Sequence, residues 1–141
     1  MSGSYELFDH TADMGLRIRA PDAHQLLAPA AQALYAAIGE LTATADAAPV
    51  RRRLELAGDS AAGLLRGYLA ELLHLFERDK LIVVGVTDPE LSDTSLSVDL
   101  ALAPINVARS NMDREVKAIT YHELSIAAAP SGVVATVIVD I

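Results

Sequence analysis

Cysteine and tryptophan are absent from this chain, and two phenylalanines and four tyrosines supply all of its aromatic surface. Without cysteine there is no disulfide framework, no thiolate metal site and no cysteine nucleophile, so any metal falls to Asp, Glu, His or backbone oxygen. With so few rings, a core has to be built from Ala, Leu and Val. Hydrophobic residues make up 52% of the sequence, enough to exclude a disordered chain. The 141 residues fit one domain, since domains run to about 100–200 residues, and residues 1–141 are read as a single unit without internal repeats.

Long apolar runs are missing too. No window approaches the roughly 18 consecutive apolar residues of a membrane-spanning helix, and Met-Ser-Gly-Ser-Tyr-Glu has neither the basic start nor the apolar stretch of a signal peptide. A cytoplasmic protein with no membrane partner is expected. Positive charge is scarce: 11 Lys and Arg against 19 Asp and Glu give a formal net charge of -8. That opposes the counterion release that drives binding to phosphate backbones, so stable direct nucleic-acid binding is disfavoured, whereas docking on a basic protein surface is not. There is also no Gly-rich phosphate loop with Lys and Ser or Thr, and no Gly-x-Ser-x-Gly elbow.

What is present is a clear alternation of periods. Leu7-Phe8 and residues 16 to 19 read as two short strands flanking a polar loop or turn, with Gly15 permitting an unusual backbone angle where the second strand starts. Leu26, Leu27, Ala30, Ala31, Leu34, Tyr35 and Ile38 recur at helical spacing after a candidate cap, Asp22, and before a candidate stop, Gly39. Pro29 inside that helix costs about 3 kcal/mol in an interior turn, so a kink or a start later than Asp22 is expected. Residues 50 to 56 read as a strand whose Arg51, Arg52 and Arg53 blunt an exposed edge. Asp59 is a candidate cap for a second helix built on Leu65, Tyr68, Leu69, Leu72 and Phe76, with Gly63 and Gly67 placed for close packing on a sheet. Residues 81 to 86 and 95 to 102 read as strands, residues 104 to 115 as a loop, and residues 116 to 127 and 133 to 141 as a last hairpin around Pro130-Ser131-Gly132. The expected fold is α+β: a two-layer sandwich with two helices packed on one mostly antiparallel sheet.

Chemistry concentrates at the two ends. Asp9, His10 and Asp13 lie within five positions and offer carboxylate oxygen and imidazole nitrogen to a divalent cation. Taken alone the cluster favours a plainer reading, because Asp, His and Thr are ordinary turn formers. The C-terminus alters the balance. Val-Ile-Val-Asp140-Ile141 runs out as a strand, so the Asp140 side chain and the terminal carboxylate stand one residue apart, about 3.3 Å of rise, with Ile141 available to anchor the end. If the ends meet, Asp13, Asp140 and the Ile141 carboxylate bring three negative charges together, an arrangement that strongly favours a cation. The competing reading is an Asp140 merely solvated at a strand end. In Lys117-Ala-Ile-Thr-Tyr-His122, alternation sends Lys117, Ile119 and Tyr121 to one side, and Lys117 serves either as a solvated charge, as a counter-charge to the carboxylates, or as a cation offered to a partner. His24, His74 and His122 form no metal-ligand pair and read as structural or exposed.

Four blocks carry a family resemblance, in order along the chain: Phe8-Asp9-His10-Thr11-Ala12-Asp13-Met14-Gly15, Leu69-Ala-Glu71-Leu72-Leu73-His-Leu75-Phe76, Lys117-Ala-Ile-Thr-Tyr-His122 and Val139-Asp140-Ile141. They resemble the archease family, whose members assist the GTP-dependent RNA ligase of tRNA splicing and repair. The resemblance implies a non-enzymatic cofactor that promotes ligase guanylylation and multiple turnover. It also implies a divalent metal ion, calcium or similar, on Asp13, Asp140 and Ile141, with Lys117 and His10 as partner-binding or activating positions. Such a role reconciles an acidic chain with RNA metabolism, since it touches the RNA enzyme and not the RNA. Pro29, Gly67-Tyr68 and the loosely matching loop 104 to 115 depart from the family pattern. From the residues alone, a small metal-dependent hydrolase on Asp9, His10 and Asp13 is the alternative, and a general chaperone or scaffold without a metal role is a third possibility.

Overall fold

The computed structural model describes residues 3–10, 13–45 and 48–141. Strands β1 (Ser4–His10) and β2 (Asp13–Ala20) open the chain, followed by a 3-10 turn (His24–Leu26), helix α1 (Leu27–Ile38), β3 (Gly39–Glu40), β4 (Val50–Ala57) and helix α2 (Ala61–Asp79). Then come β5 (Leu81–Leu91), β6 (Ser95–Pro104), a 3-10 turn (Val107–Arg109), β7 (Asn111–Met112), β8 (Ala118–Ile119), β9 (Ser125–Ala129) and β10 (Gly132–Asp140).

The expected α+β arrangement of two helices on antiparallel strands holds, with the strands divided among three sheets. One runs β1-β2-β10-β8 with β9 also on β10, a second runs β4-β6-β5, and β3 with β7 makes a small ribbon. Every pairing between these named strands is antiparallel. Helix α1 lies against β1, β2 and β5, and α2 lies against β5 and β6 and touches α1, so the helices form one layer over both larger sheets. Aliphatic side chains fill the space between, among them Leu16 and Ile18 of β2, Val137 and Val139 of β10, Leu27 and Leu34 of α1, and Leu65, Leu69 and Leu72 of α2. Two tyrosines enter this core with hydrogen-bonded hydroxyls: Tyr68 donates to the Leu27 carbonyl (2.8 Å) and Tyr35 accepts from the Val83 N–H (2.9 Å).

The structure resolves the Pro29 conflict by a late start. Pro29 is the third residue of α1, within the first turn, where its missing N–H has no intrahelical partner to lose. Asp22 closes the preceding turn, its carboxylate accepting from the Gln25 N–H (3.0 Å). Helix α2 is capped by Ser60 and not by Asp59: the Ser60 hydroxyl accepts from the Gly63 N–H at 3.0 Å. The two glycines of α2 do not serve close sheet packing either. A Cβ at Gly63 would press on the Ser60 hydroxyl, and one at Gly67 would make ordinary contact with Leu56 at 3.5 Å. Arg51, Arg52 and Arg53 are exposed on β4, which pairs on one side with β6, as the edge reading expected.

The last hairpin differs from expectation. Its first arm is two pieces, β8 and β9, both paired to β10 and separated by a bend in which Glu123 takes a positive φ of 51° and the Leu124 N–H reaches the Tyr121 carbonyl. Only Ala118 and Ile119 of the stretch read as alternating lie in β8, and Ile119 is buried while Lys117 and Tyr121 on either side of the strand are exposed. The loop 104 to 115 is likewise not free, because β7 within it pairs with β3.

Candidate functional site

Antiparallel register brings the two ends of the chain together. Asp13 stands directly opposite Asp140 across the β2:β10 ladder, Asp13 also pairs with His10 of β1, and Asp140 pairs with Ala118 of β8. Directly paired residues share a face of a sheet with Cβ atoms about 4.5–5.5 Å apart, so the two carboxylates emerge side by side. Along β2, residues 14, 16, 18 and 20 are buried toward the helices, which puts Asp13 on the opposite face together with Gly15, Arg17 and Arg19. Both Asp13 and Asp140 are half-buried. Ile141, which follows Asp140, is partly buried and packs against the core.

The flanking segment is pinned to the same corner. The Lys117 N–H donates to the Asp140 carbonyl at 2.7 Å, and both the N–H (3.0 Å) and the hydroxyl (2.8 Å) of Thr120 donate to the Ile138 carbonyl. Lys117 thus begins its side chain within one hydrogen bond of Asp140, on an exposed stretch of backbone.

Beside this row lies a second, Phe8, Gly15 and Ile138. Gly15 has no positive φ; it is glycine because the Phe8 ring fills the place a Cβ would take. Arg17 sits 4.3 Å over the same ring, and Glu6 bridges Arg19 (2.6 Å) and Arg17 (3.4 Å) one row further on. Hydrogen bonds from Arg19 and Arg17 hold the Glu6 carboxyl below its ordinary range. The floor beside the carboxylates is therefore apolar and firmly placed.

The N-terminal block was expected to be a loop or turn, and its described residues belong to strands. Asp9 and His10 end β1 while Asp13, Met14 and Gly15 begin β2. Thr11, Ala12 and the side chain of His10 lie outside the described residues. Because successive strand residues point to opposite faces, Asp9, paired with Met14, is turned away from Asp13. Asp9 and Asp13 do not converge, and the hydrolase built on them loses its geometry.

Like charges directly opposed across a ladder are destabilising by about 0.2–1 kcal/mol, and a cation between them removes that repulsion. Among the described residues no three His, Asp or Glu side chains come together. The oxygen donors that this corner could offer a cation are the side chains of Asp13 and Asp140 and main-chain oxygen of Ile141. That donor set is all hard oxygen, which fits a calcium-like ion.

The N-terminal and C-terminal blocks that make this corner are also where a known family is expected to match. A model of the Archease protein family matches residues 5–141. The chain belongs to the archease family. Archease proteins of Methanosarcina barkeri and Methanopyrus kandleri are 28% and 29% identical to it, each over 97% of this chain and 95% and 99% of their own lengths. The solution structure of Methanobacterium thermoautotrophicum protein 1598 aligns with a TM-score of 0.68 at 24% identity, covering 98% of this chain and 99% of that one, which shows a shared fold. In this archease the sequence blocks that carried the resemblance are the strands and helix that build the Asp13–Asp140 corner and the core behind it. No helix among the described residues is long and apolar enough to cross a membrane.

One contributor was invisible in the sequence. Arg66 of α2 donates from Nε to the Ile119 carbonyl at 2.9 Å, and its guanidinium lies 4.2 Å from the Tyr121 ring. Its position beside the apolar stripe of α2 gave no sign of a contact with a segment more than fifty residues away.

Proposed function

We propose that this archease is a non-enzymatic activator of a GTP-dependent RNA ligase, promoting its guanylylation and multiple turnover in tRNA splicing and RNA repair. The proposal includes a divalent cation, calcium or a close relative, held by Asp13, Asp140 and the carboxylate of Ile141. The observation that carries it is the direct opposition of Asp13 and Asp140, with the Lys117 backbone bonded to Asp140. A bound cation supplies a positive centre that neutralises the opposed carboxylates. The chain's own residues do the rest: β2 and β10 fix the spacing of the oxygens, Ile141 anchors the end, and Lys117 offers an ammonium group to the ligase from the same corner. His10, paired with Asp13, is the second position assigned to the partner. The net charge of -8 supports a protein partner over RNA.

Single-turnover guanylylation of the cognate ligase tests this, with wild type, Asp13→Asn, and a variant lacking Ile141. Wild type is expected to accelerate the step and both variants to fail while remaining folded by circular dichroism. Full acceleration by Asp13→Asn overturns the metal role, and no acceleration by wild type overturns the activator role.

A further inference from the structure

We infer that Arg66 is a positioning residue that clamps the Lys117 segment onto the C-terminal strand, with Tyr121 as the second jaw. The inference rests on the activator reading of the Lys117–Asp140 corner and extends it to a residue on the opposite layer of the fold.

Strand β8 is only two residues long and ends its sheet, so it meets β10 on one side and, among the described residues, has no strand on the other. A two-residue edge pairing is weak by itself, and the outward carbonyl of such a strand lacks a ladder partner. Arg66 supplies that partner from α2 through its Nε bond to Ile119. The rest of the guanidinium is covered by the Tyr121 ring, although Tyr121 is 70% exposed. Arg66 is half-buried and forms no ion pair among the described residues, so its charge is committed to this carbonyl and this ring. A hydrogen bond from a charged donor is worth more than a neutral one, and an Arg–aromatic stack adds to it.

The consequence is selective. Asp13 and Asp140 are set by β2 and β10, which pair over eight residues without help from Arg66. Lys117 depends on the short strand. Loss of Arg66 should therefore free Lys117 and leave the carboxylates in place.

Amide hydrogen exchange on the isolated protein reads the clamp, and ligase guanylylation reads its use. In Arg66→Ala, amides of residues 118 and 120 should exchange about tenfold faster or more, with β2 and most of β10 unchanged. Arg66→Lys, which keeps a donor and loses the planar stack, should fall between, as should Tyr121→Ala, which changes an exposed side chain and spares the fold. Calcium affinity should match wild type in all three. Maximal ligase stimulation by Arg66→Ala should fall about tenfold or more, as misplaced groups do. Wild-type exchange at 118 and 120 in Arg66→Ala overturns the clamp. Faster exchange with undiminished stimulation overturns its functional use. If wild type itself fails to stimulate, the activator reading falls and the functional half with it, while the exchange result still decides whether Arg66 clamps.

Discussion

The far edge of the Phe8 ring occupies the space that a side chain at residue 15 would need. Phe8 and Gly15 are directly paired between β1 and β2, so the ring shields a backbone position on the face that also bears Asp13. The pair is a physical reason for both residues in the N-terminal block. It also makes the neighbourhood of Asp13 sensitive to a single methyl group.

Gly15→Ala should therefore destabilise the protein by about 1–3 kcal/mol, the usual effect of overpacking. Urea denaturation measures it. A Phe8→Ala, Gly15→Ala double variant should recover part of the Gly15→Ala component, because the ring that clashes is gone. Additive losses in the double variant would contradict direct contact.

Opposed carboxylates predict a stability paradox at Asp13. Without metal, Asp13→Asn removes like charges facing each other across a ladder and should be as stable as wild type or more stable, by about 0.2–1 kcal/mol. With calcium at 100 times its Kd, wild type alone should gain about 2.7 kcal/mol. Thermal melts with calcium and with a chelator give both numbers. A calcium shift in Asp13→Asn equal to that of wild type would remove Asp13 from the ligand set.

The start of α2 offers a comparison between neighbours. Ser60→Ala should cost about 1 kcal/mol through loss of the bond to the Gly63 N–H, while Asp59→Ala should cost much less because another residue holds the cap. Chemical denaturation of the two variants in parallel separates them, and equal losses would contradict the assigned cap.

Alkali should weaken the fold through its buried phenols. Burial pushes Tyr35 from an ordinary value of 10.0 up to about 12, against the opposing effect of the Val83 N–H. Burial raises Tyr68 in the same direction, with a smaller contribution from Tyr35. Since the folded state favours the neutral phenol, this stability is fully present below the unfolded value of 10.0 and is lost as pH rises through about 12. Each tyrosine contributes a slope of about 1.4 kcal/mol per pH unit in that window. Tyr35→Phe should be less stable at neutral pH, where the Val83 N–H loses its acceptor, and should lose stability less steeply above pH 10. Denaturation midpoints across the window decide this.

Much of the architecture was legible because period and composition act locally. The stripe of Leu65, Tyr68, Leu69, Leu72 and Phe76 can bury itself only as a helix, and the alternation of Leu96, Val98, Leu100 and Leu102 only as a strand. The choice between Asp59 and Ser60 as cap was not legible, since both are good cap residues and one hydrogen bond decides. The bend at Glu123 was hidden for a related reason: the segment alternates well enough to run straight, and the break comes from a turn that lets β8 and β9 share one side of β10.

For the candidate site the division is sharper. The sequence by itself limited the donor chemistry: with no cysteine, any metal falls to Asp, Glu, His or main-chain oxygen. It also carried the blocks that mark the family. Tertiary structure alone decided which residues meet. Strand register opposes Asp13 to Asp140 and turns Asp9 away, because a shift of one residue along a strand reverses the face. Packing of α2 across the sheets brings Arg66 to the Ile119 carbonyl, a contact between distant segments that no local periodicity encodes.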